Sequence, residues 1–506
     1  MIQICNRAYH KNTDIYTMSE IGIPGIVLME RAAYELVQEI PVSEEGRILA
    51  VCGSGNNGGD GIAAARILHQ RGYSCDVLLL RASNGLTELA QQQLEIAKKT
   101  GVTVYETDSD EFPGFATYNV LIDAIFGIGL TREITEPYQS VIEAVNASGA
   151  YVVAADIPSG IDTDTGAVLG SAVRADVTVS FGYGKPGLYL YPGTEYAGRV
   201  EVKEIGFVSP GDAEYNMFAY NCLTEVPFVS RRSDSHKGSY GKVLLIAGFD
   251  EMSGACCMAA ESVYRSGAGL VRVFTSEESK RVLQVRVPEL MVSSYEKEDW
   301  EARLLTLLQW ADVVAIGPGL GTGAQAKRAF ELMLSVRDKK YVLDADAINL
   351  LGGDMSRIPY GAVVTPHPAE LSRLFQVPIA EIKKDRIGIL KKMITRDDIV
   401  FVCKDSRTLI AQDKQICFNL NGNSGMATGG SGDVLTGITA ALLASGMTAF
   451  DAACAAVRIH AEAGDMVARR LSEHSMLATD ITAMLPDVFR YVEDGKKTEC
   501  LIYEND

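Results

Sequence analysis

Short apolar runs alternate with helix-like segments along almost the whole chain, and this alternation constrains the fold more than any other feature of the sequence. The first clear unit is an apolar run at residues 47–52, a helical segment at 62–69 and a second apolar run at 75–80. Strands read as continuous apolar runs when helices cover both faces of a parallel sheet. The pattern therefore predicts an α/β architecture with mostly parallel sheets.

The alternation falls into two series, which predicts two domains. A helical periodicity at residues 14–40, interrupted at Pro24-Gly25, precedes the first series, and the pattern lapses between about 208 and 234. Further strands are predicted at 102–105, 120–125, 151–155 and 177–181, then at 242–247, 271–274, 313–316, 341–343, 362–364 and 399–403, with helices at 87–99, 433–444 and 450–471. A chain of 506 residues also exceeds what one hydrophobic core usually organises. We predict three-layer α/β domains over residues 1–220 and 221–506.

The charge balance argues against two classes of partner. The chain has 47 Lys and Arg against 65 Asp and Glu, a formal net charge of -18. This sign is wrong for a general nucleic-acid binder or for an anionic membrane surface. Because no stretch is apolar enough to span a membrane and residues 1–10 lack a signal-peptide core, we expect a cytoplasmic protein. The ten cysteines have no metal-ligand spacing, so we expect buried, reduced thiols.

A first glycine-rich segment, Gly53-Ser54-Gly55-Asn56-Asn57-Gly58, separates a predicted strand from a predicted helix. In that setting G-x-G-x-x-G presents backbone amides to a pyrophosphate. The next predicted strand lacks the terminal acidic residue that binds a ribose, which disfavours an ordinary NAD oxidoreductase. The polar oxygens that continue to Asp60 are also suited to a hard cation. The structural alternative is a tight turn that uses glycine for positive φ.

Two further predicted strands end on carboxylates. The segment Asp123-Ala124-Ile125-Phe126-Gly127-Ile128-Gly129-Leu130 follows one strand, and Ala155-Asp156-Ile157-Pro158-Ser159-Gly160-Ile161-Asp162 follows another. Open α/β sheets bind ligands beyond the carboxyl ends of their strands. We therefore expect the three segments to converge on one crevice.

These motifs, in this order between Leu28-Met29-Glu30-Arg31 and Glu204-Ile205-Gly206, resemble the Rossmann-like epimerase domain that acts on hydrated nicotinamide nucleotides. The resemblance implies a K⁺ site at Asn57, Asp123 and Ser159. It also implies substrate contacts from Asn56, Asn57, Gly58, Gly59, Asp60, Gly127, Ile128, Gly129, Leu130, Thr131, Arg132, Glu133, Tyr138 and Asp156. Inversion at the hydrated carbon through ring opening or hydroxide loss needs proton transfer, and Asp156 is the candidate acid/base.

A second glycine-rich segment, Thr428-Gly429-Gly430-Ser431-Gly432-Asp433, leads directly into a predicted helix. Backbone amides at a helix N-terminus form an anion site. A carboxylate there is suited to deprotonating a hydroxyl held against a bound phosphate. The structural alternative is that Asp433 is the N-cap of the helix.

Residues 234–490 resemble the ribokinase-like domain of the NAD(P)H-hydrate dehydratases. The resemblance is carried by His236-Lys237-Gly238, Gly254-Ala255, Ser266-Gly267-Ala268-Gly269, Gly317-Pro318-Gly319-Leu320-Gly321, Asp344-Ala345-Asp346, Thr365-Pro366-His367-Pro368 and the second glycine-rich segment. It implies that the hydrate is lined by Ala255, Gly319, His367 and the catalytic base Asp433. It further implies that ADP, with Mg²⁺, is contacted by Lys404, Asp405, Ser406, Arg407, Thr408 and Gly432.

Several positions carry a second interpretation. Ala369 and Asp405 stand where the family usually has glycine, and Asp405 would place a carboxylate beside the nucleotide phosphates. His367 is also suited to a packing or hydrogen-bonding role. Lys185 and Lys237, each among glycines, are expected at the surface.

The combined hypothesis is a bifunctional repair enzyme that assembles as a homo-oligomer. One domain would interconvert the R and S hydrates of NADH and NADPH (NADHX and NADPHX), and the other would dehydrate the S form while ADP is converted to AMP and phosphate. The alternative is a small-molecule kinase of the ribokinase-like class whose N-terminal half is a non-catalytic binding module. A stable phosphorylated product would favour the kinase.

Overall fold

The computed structural model describes residues 1–43, 45–80, 85–106, 112–211, 214–229, 231–249, 252–296 and 298–494. The chain divides into two compact units, and it passes from the first to the second between Asn216 and Met217. Residues 495–506, at the end of the predicted second domain, lie outside the described residues. Within the described ranges, no helix is both long and apolar enough to cross a membrane.

Among its described residues, the first unit has eight strands and seven α-helices. The strands are β1 (Ile2–Ile4), β2 (Arg47–Cys52), β3 (Ser74–Leu79), β4 (Thr103–Glu106), β5 (Val120–Ala124), β6 (Tyr151–Ala155), β7 (Val177–Phe181) and β8 (Arg199–Lys203). The helices are α1 (Arg7–Ser19), α2 (Gly25–Gln38), α3 (Asn56–Gln70), α4 (Glu88–Lys99), α5 (Tyr138–Ala147), α6 (Pro186–Tyr189) and α7 (Thr194–Ala197).

Its seven-stranded sheet has the order β4–β3–β2–β5–β6–β7–β8, and every neighbouring pair is parallel. This is the Rossmann-like order, in which the chain reverses its direction of travel between β2 and β5. Both faces are covered, because Ile48 and Ala50 of β2 pack in one core cluster while Leu49 and Val51 pack in another. The predicted three-layer α/β fold is confirmed, and ligands bind such folds at the switch point.

The helix after the first glycine-rich segment begins six residues earlier than predicted. α3 starts at Asn56, so Asn56 to Asp60 form its first turns. Glycine and asparagine are weak helix formers, which is why the sequence hides this start. Packing overrides propensity here: a Cβ at Gly58 would lie 1.9 Å from the Gly53 carbonyl oxygen. Neither Gly53 nor Gly58 has a positive φ, so the alternative that this turn uses glycine for positive φ is wrong.

The first helix also begins earlier than predicted, at Arg7 rather than at residue 14. The Asn6 side chain caps it by accepting a hydrogen bond of 2.9 Å from the backbone N–H of Tyr9. Asparagine is a favoured N-cap because its oxygen replaces a missing helical acceptor. The extra turns place His10 in the interior, where it is 3% exposed.

The part of the second unit that the structure describes has ten strands and eleven α-helices. The strands are β9 (Asn216–Ala219), β10 (Lys242–Ile246), β11 (Leu270–Thr275), β12 (Met291–Ser294), β13 (Val313–Ile316), β14 (Lys340–Leu343), β15 (Val363–Val364), β16 (Val400–Cys403), β17 (Leu409–Gln412) and β18 (Gln415–Phe418). The helices are α8 (Ser253–Arg265), α9 (Glu277–Arg286), α10 (Trp300–Trp310), α11 (Ala324–Ser335), α12 (Asp346–Leu351), α13 (Pro368–Phe375), α14 (Ile379–Lys384), α15 (Arg386–Met393), α16 (Ser431–Ala444), α17 (Ala449–Leu471) and α18 (Ala478–Glu493).

The sheet of the second unit has the order β9–β18–β17–β16–β15–β14–β13–β10–β11–β12. In the stretch β16–β15–β14–β13–β10–β11–β12, every neighbouring pair is parallel. The pairs β16–β17 and β17–β18 are antiparallel. Val243 and Leu245 of β10 pack in the main core, and the alternate residues Leu244 and Ile246 are equally buried, so both faces are covered. A switch point lies between β10 and β13, again a place where ligands bind.

The described cysteines behave as predicted. Eight of the nine are buried and all nine are free thiols; Cys222 is half-buried. They pack as small apolar side chains.

Candidate active sites

The first candidate site lies at the switch point of the first unit. Asn56 to Asp60 follow β2, the segment from Gly127 to Glu133 follows β5, and Asp156 and Ser159 follow β6. These three strands are neighbours in the sheet. Their carboxyl ends therefore meet at one edge, as the sequence predicted.

Close contacts join the three segments. A Cβ at Gly53 would lie 2.0 Å from the Ile125 carbonyl oxygen, and a Cβ at Gly127 would lie 3.2 Å from Cβ and Cγ of Asn57. The ring of Tyr138, the first residue of α5, packs against Phe126 with 4.9 Å between ring centroids. The loop that follows β5 becomes exposed at its outer part, which comprises Thr131, Arg132 and Glu133.

Two of the three residues that the resemblance assigns to K⁺, Asp123 and Ser159, are buried and bonded to each other, and the third, Asn57, is half-buried. Asp123 and Ser159 are 1% and 0% exposed. Asp123 Oδ1 accepts from Ser159 Oγ at 2.6 Å, and Asp123 Oδ2 accepts from the Ser159 N–H at 2.7 Å. A side-chain nitrogen of Asn57 is also buried, and it has no hydrogen-bond partner among the described residues.

The electrostatics of Asp123 suit a cation. Its hydrogen-bond donors are neutral: Ser159, twice, and the N–H of Ile125. Burial raises its pKa to about 6 although these hydrogen bonds oppose the shift. A buried carboxylate without a countercharge is costly, and a bound cation removes that cost. Carboxylate, hydroxyl and amide oxygens are ligands that hard cations prefer, so the residues fit K⁺.

Asp156 occupies a constrained position directly after β6. Its backbone φ is 69°, an uncommon value for a residue other than glycine. Its Oδ1 accepts a hydrogen bond of 3.1 Å from the N–H of Phe181 and one of 2.6 Å from Lys185 Nζ.

The predicted surface position of Lys185 is wrong, because the residue is 0% exposed. The ion pair with Asp156 allows the burial, since a buried ammonium needs an anionic partner. Lys237, the other lysine among glycines, is exposed as predicted.

The sequence analysis missed two residues of α1 that face this pair. The charges of Lys185 and Asp156 both act on His10, and the charge of Asp156 acts on Asp14. Burial lowers the His10 pKa to about 3, so the imidazole is neutral. Nothing in the sequence marks these residues, because a His and an Asp on an amphipathic helix carry no motif.

Asp60, on α3, belongs to the same cluster. Burial, followed by the charges of Asp156 and Asp14, raises its pKa well above the usual range. These surroundings favour the protonated form of Asp60, which can donate a hydrogen bond or a proton.

The second candidate site surrounds the N-terminus of α16. Gly430 is the N-cap, with φ 94°, and Asp433 lies three residues further on, inside the first turn. The N-cap interpretation of Asp433 is therefore wrong. A Cβ at Gly430 would lie 2.3 Å from Cε of Met258, so both the backbone angle and the space require glycine.

Asp433 faces a buried ion pair. Lys404 Nζ donates to Asp344 Oδ1 at 2.8 Å, and Thr436 Oγ1 donates to Asp344 Oδ2 at 2.8 Å. A Cβ at Gly432 would lie 3.2 Å from Lys404 Nζ, so the ammonium lies against the start of α16.

The surroundings of Asp433 shift its titration to neutral pH. Burial, followed by the charge of Asp344, raises the Asp433 pKa to about 7; Asp346 adds to the effect and Lys404 opposes it. Perturbed carboxylates of this kind are typical of acid/base catalysts.

The sequence analysis also missed His460, in α17. Its Nε2 lies 3.3 Å from Ser431 Oγ, in the first turn of α16. Burial lowers the His460 pKa to about 4, so the residue is a neutral hydrogen-bonding group beside the anion site. It lies in an alanine-rich helix, and no local pattern points to it.

Ala255 and Gly319 lie together, as predicted. Ala255 is in the first turn of α8, and a Cβ at Gly319 would lie 3.2 Å from the Cβ of Ala255 and 2.6 Å from that of Met252. Gly319 has φ 55°. The loop is tied to the next strand end by Asp346, whose Oδ2 accepts from the Gly321 N–H at 2.8 Å.

His367 is the N-cap of α13. Its Nδ1 accepts from the N–H of Ala369 at 3.1 Å and from that of Glu370 at 3.4 Å. Its Nδ1 is therefore unprotonated. Its side chain is 47% exposed, so the ring is accessible while it caps the helix. Ala369, where the family usually has glycine, is an ordinary helical residue without a positive φ.

The predicted nucleotide-binding loop joins β16 to β17. Asp405 accepts from the Ser406 N–H at 2.9 Å, and its Oδ2 lies 3.8 Å from Arg386 Nη1. Arg407 Nη1 donates to the Leu420 carbonyl at 2.7 Å, which fixes the loop on the neighbouring segment. The negative charge of Asp405 is thus partly balanced by Arg386. The other predicted residues lie around this loop. Lys404 and Thr408 are its two ends, and Gly432 faces Lys404.

Clusters of three or more His, Cys, Asp or Glu that could hold a metal ion are absent from the described residues. A cation at either site would be held by a mixture of carboxylate, hydroxyl and amide oxygens, or by a bound ligand such as a nucleotide phosphate.

Two family models match the chain. The model described as NAD(P)H-hydrate dehydratase matches residues 243–487, within the second unit. The model described as YjeF-related protein N-terminus matches residues 25–187, within the first unit. Both candidate sites fall inside these matches, whereas His10 and Asp14 precede them.

Curated relatives match nearly the whole chain. The bifunctional NAD(P)H-hydrate repair enzyme Nnr of Thermofilum pendens is 35% identical over 96% of this chain and 95% of its own. The Escherichia coli protein of that name is 36% identical over 86% of this chain and 84% of its own.

A solved structure resembles the second unit. It is a ribokinase-like superfamily protein of Enterococcus faecalis, 32% identical, that matches 55% of this chain and 96% of its own with a TM-score of 0.50. The predicted ribokinase-like fold is confirmed.

Proposed function

Because the chain belongs to the family of bifunctional NAD(P)H-hydrate repair enzymes, we propose that it restores NADH and NADPH from their hydrates in two steps. Residues 1–220 interconvert the R and S forms of NADHX and NADPHX. Residues 221–506 dehydrate the S form while ADP is converted to AMP and phosphate. The observation that carries the proposal is Asp433, a carboxylate with a pKa of about 7 inside the first turn of a glycine-led helix.

In the dehydratase, Asp433 accepts the proton of the substrate hydroxyl. The hydroxyl oxygen then forms a bond to the β-phosphorus of ADP, and the bond from that phosphorus to AMP breaks. The phosphate leaves the ring carbon with its electron pair, and loss of a proton from the adjacent carbon restores the double bond. A carboxylate that titrates near the working pH suits the first step, because it is ionised in part and basic enough to take the proton.

The surroundings of Asp433 hold the other groups. The N–H groups at the start of α16 and the ammonium of Lys404 stabilise the transferring phosphoryl group. Asp344 and Thr436 hold Lys404 against Gly432. Ala255, Gly319 and His367 bind the hydrate, and the loop from Lys404 to Thr408 binds the nucleotide.

Mg²⁺ fits the dehydratase site. Asp344, Asp346, Asp433 and Glu370 act electrostatically on one another or on Lys404, so carboxylates outnumber the ammonium. Asp346 is the side chain that would hold the cation together with the ADP phosphates. When bound, it neutralises phosphate charge.

In the epimerase, Asp156 exchanges a proton with the hydrated ring. Loss of the hydroxyl group, or opening of the ring at that carbon, removes the stereocentre, and reversal from the other face gives the second epimer. Asp60, whose surroundings raise its pKa and so favour its protonated form, donates to the departing oxygen, while Asp156 is the base. The substrate lies between the start of α3 and the loop that carries Gly127.

K⁺ fits the epimerase site, where Asn57, Asp123 and Ser159 would hold it. When bound, it balances the buried Asp123 carboxylate and fixes the loops that contain these residues. We further propose that the protein acts in the cytoplasm, as the sequence pattern suggests, and that it is a homo-oligomer, as the resemblance to the family implies.

The proposal is tested by following the recovery of reduced-nicotinamide absorbance from NADHX. Purified protein is supplied with ADP, with ATP or without nucleotide. Recovery with ADP is expected, and absence of nucleotide-dependent recovery would refute the dehydratase. A stable phosphorylated product without recovery of NADH would instead support a small-molecule kinase with a non-catalytic N-terminal unit.

A further inference from the structure

We propose that Lys185 is a positioning residue of the epimerase site, whose buried ammonium keeps Asp156 ionised and fixes the direction of its carboxylate. This proposal rests on the proposed epimerase function, in which Asp156 is the base. The sequence pattern pointed to a surface lysine instead.

The ammonium of Lys185 is directed entirely into the protein. It donates to Asp156 Oδ1 at 2.6 Å and to Ser180 Oγ at 2.8 Å, and it lies 3.3 Å and 3.4 Å from the carbonyl oxygens of Tyr183 and Phe181. All of these neighbours are acceptors of hydrogen bonds from a charged donor. Lys185 is thus fixed in place, and its head group does not reach solvent.

The carboxylate of Asp156 is held at one oxygen only. Oδ1 accepts from Lys185 and from the Phe181 N–H, while the backbone N–H of Asp156 donates to the Val179 carbonyl at 2.8 Å. Among the described residues, no donor reaches Oδ2. The side chain is 14% exposed. The ion pair therefore leaves one oxygen of the base available to substrate.

The other titratable groups around the pair do not replace its positive charge. Asp14 and His10 face it from α1, Asp60 faces it from α3, and Cys5 precedes α1. His10 is neutral, and the carboxyl groups of Asp14 and Asp60 supply no positive charge. Lys185 is the one cation of this cluster as far as the described residues extend.

Loss of that cation has a specific consequence. Asp156 would remain enclosed beside Asp60 and Asp14 without a counterion, so a higher pH would be needed to ionise it. A purely structural role for Lys185 would lower the epimerase rate by one factor at every pH. The pH profile therefore separates the two roles.

The test compares Lys185→Met, Lys185→Arg and wild type by the rate of R/S exchange in NADHX without nucleotide, from mildly acidic to mildly alkaline pH, with the uncatalysed rate subtracted. We expect the acid limb of Lys185→Met to move up by about one pH unit, which is about a tenfold loss below the limb. Lys185→Arg, which keeps the charge, should keep the limb in place at a lower maximum. Lys11→Met, at an exposed lysine beside His10, should match wild type.

Two controls make the result decisive. ADP-dependent recovery from the S hydrate reports on the second unit and should be the same in every variant. If Lys185→Met does not give a folded first unit, Lys185→Gln retains a hydrogen-bond donor without charge and should show the same shift. An acid limb that stays at the wild-type pH in the folded uncharged variant would overturn the proposal, whereas wild type without R/S exchange would refute the epimerase function itself.

Discussion

Asp156 and Asp433 are both enclosed carboxylates, but their neighbours differ in a way that suits different tasks. Asp156 bonds directly to an ammonium, Lys185. Asp433 lies near an ammonium, Lys404, that is already paired with Asp344. The first carboxylate is fixed in direction by its ion pair, whereas burial raises the pKa of the second to about 7.

Replacing Asp433 by Asn should abolish dehydration because the amide cannot accept the hydroxyl proton. We expect ADP-dependent recovery from the S hydrate to fall by about 10²–10⁴-fold, the usual contribution of a positioned base. The measurement is recovery of reduced-nicotinamide absorbance. R/S exchange in the same preparation is the control and should be unchanged; a variant that retains dehydration would exclude Asp433 as the base.

The dehydratase should show an acid limb near the Asp433 pKa of about 7, because the base must be ionised. Asp344→Asn removes a carboxylate that raises this pKa and frees Lys404, whose charge lowers it. The limb should therefore move to lower pH, by about one unit, even if the maximal rate falls. The measurement is the pH profile of kcat/KM for the S hydrate, and a limb that moves to higher pH would contradict the assignment.

Glycine is needed at the turn between β2 and α3 for space, and the turn offers a matched pair of positions. A Cβ at Gly53 would lie 2.0 Å from the Ile125 carbonyl oxygen, whereas a Cβ at Gly55 would contact nothing within 4 Å. Gly53→Ala should destabilise the first unit by roughly 1–3 kcal/mol, as overpacking does, and it should impair R/S exchange.

The comparison variant is Gly55→Ala, which should retain exchange and change the free energy of unfolding little. Denaturant unfolding together with the exchange rate measures both. Equal effects of the two substitutions would show that close packing does not explain the glycines of this turn.

Twelve of the eighteen described strands were predictable, because burial on both faces leaves continuous apolar runs; β2 and β6 have the predicted bounds. The pattern did not predict β1, β8, β9, β12, β17 or β18. Of these, β8 and β12 are edge strands with few buried residues. Helix starts were less predictable. The first turns of α3 contain glycine and asparagine, and tertiary packing stabilises them against their propensity. α16 likewise begins at Ser431, two residues before the predicted start.

The convergence of each site was predictable, since parallel strands end at one edge of a sheet. The interactions inside the sites were not. The Lys185–Asp156 pair joins residues 29 apart in sequence, and the His460–Ser431 contact joins two helices. Such contacts depend on tertiary packing that no local pattern records. The capping role of His367 was foreseen only as the structural alternative.

At the scale of the whole molecule, the account assigns each reaction to its own unit and requires no transfer within one chain. Asp156→Asn should retain dehydration of the S hydrate, and Asp433→Asn should retain R/S exchange. A mixture of the two variants should therefore convert R hydrate to NADH with ADP, because the S epimer diffuses between molecules. The measurement is the rate of NADH formation by the mixture, with uncatalysed exchange subtracted. Complementation is the excess of this rate over the rate of either variant alone.

A mixture no more active than its components, although each retains its own activity, would mean that the epimer does not leave the protein. Loss of both activities in either folded variant would contradict the division between the units.

The most direct test of the central claim supplies purified R-NADHX and ADP to Asp433→Asn and separates the two epimers over time. S-NADHX should accumulate to a stable R/S ratio while no NADH forms beyond a blank without protein. Failure of the S epimer to appear faster than in that blank, or recovery of NADH at the wild-type rate, would contradict it.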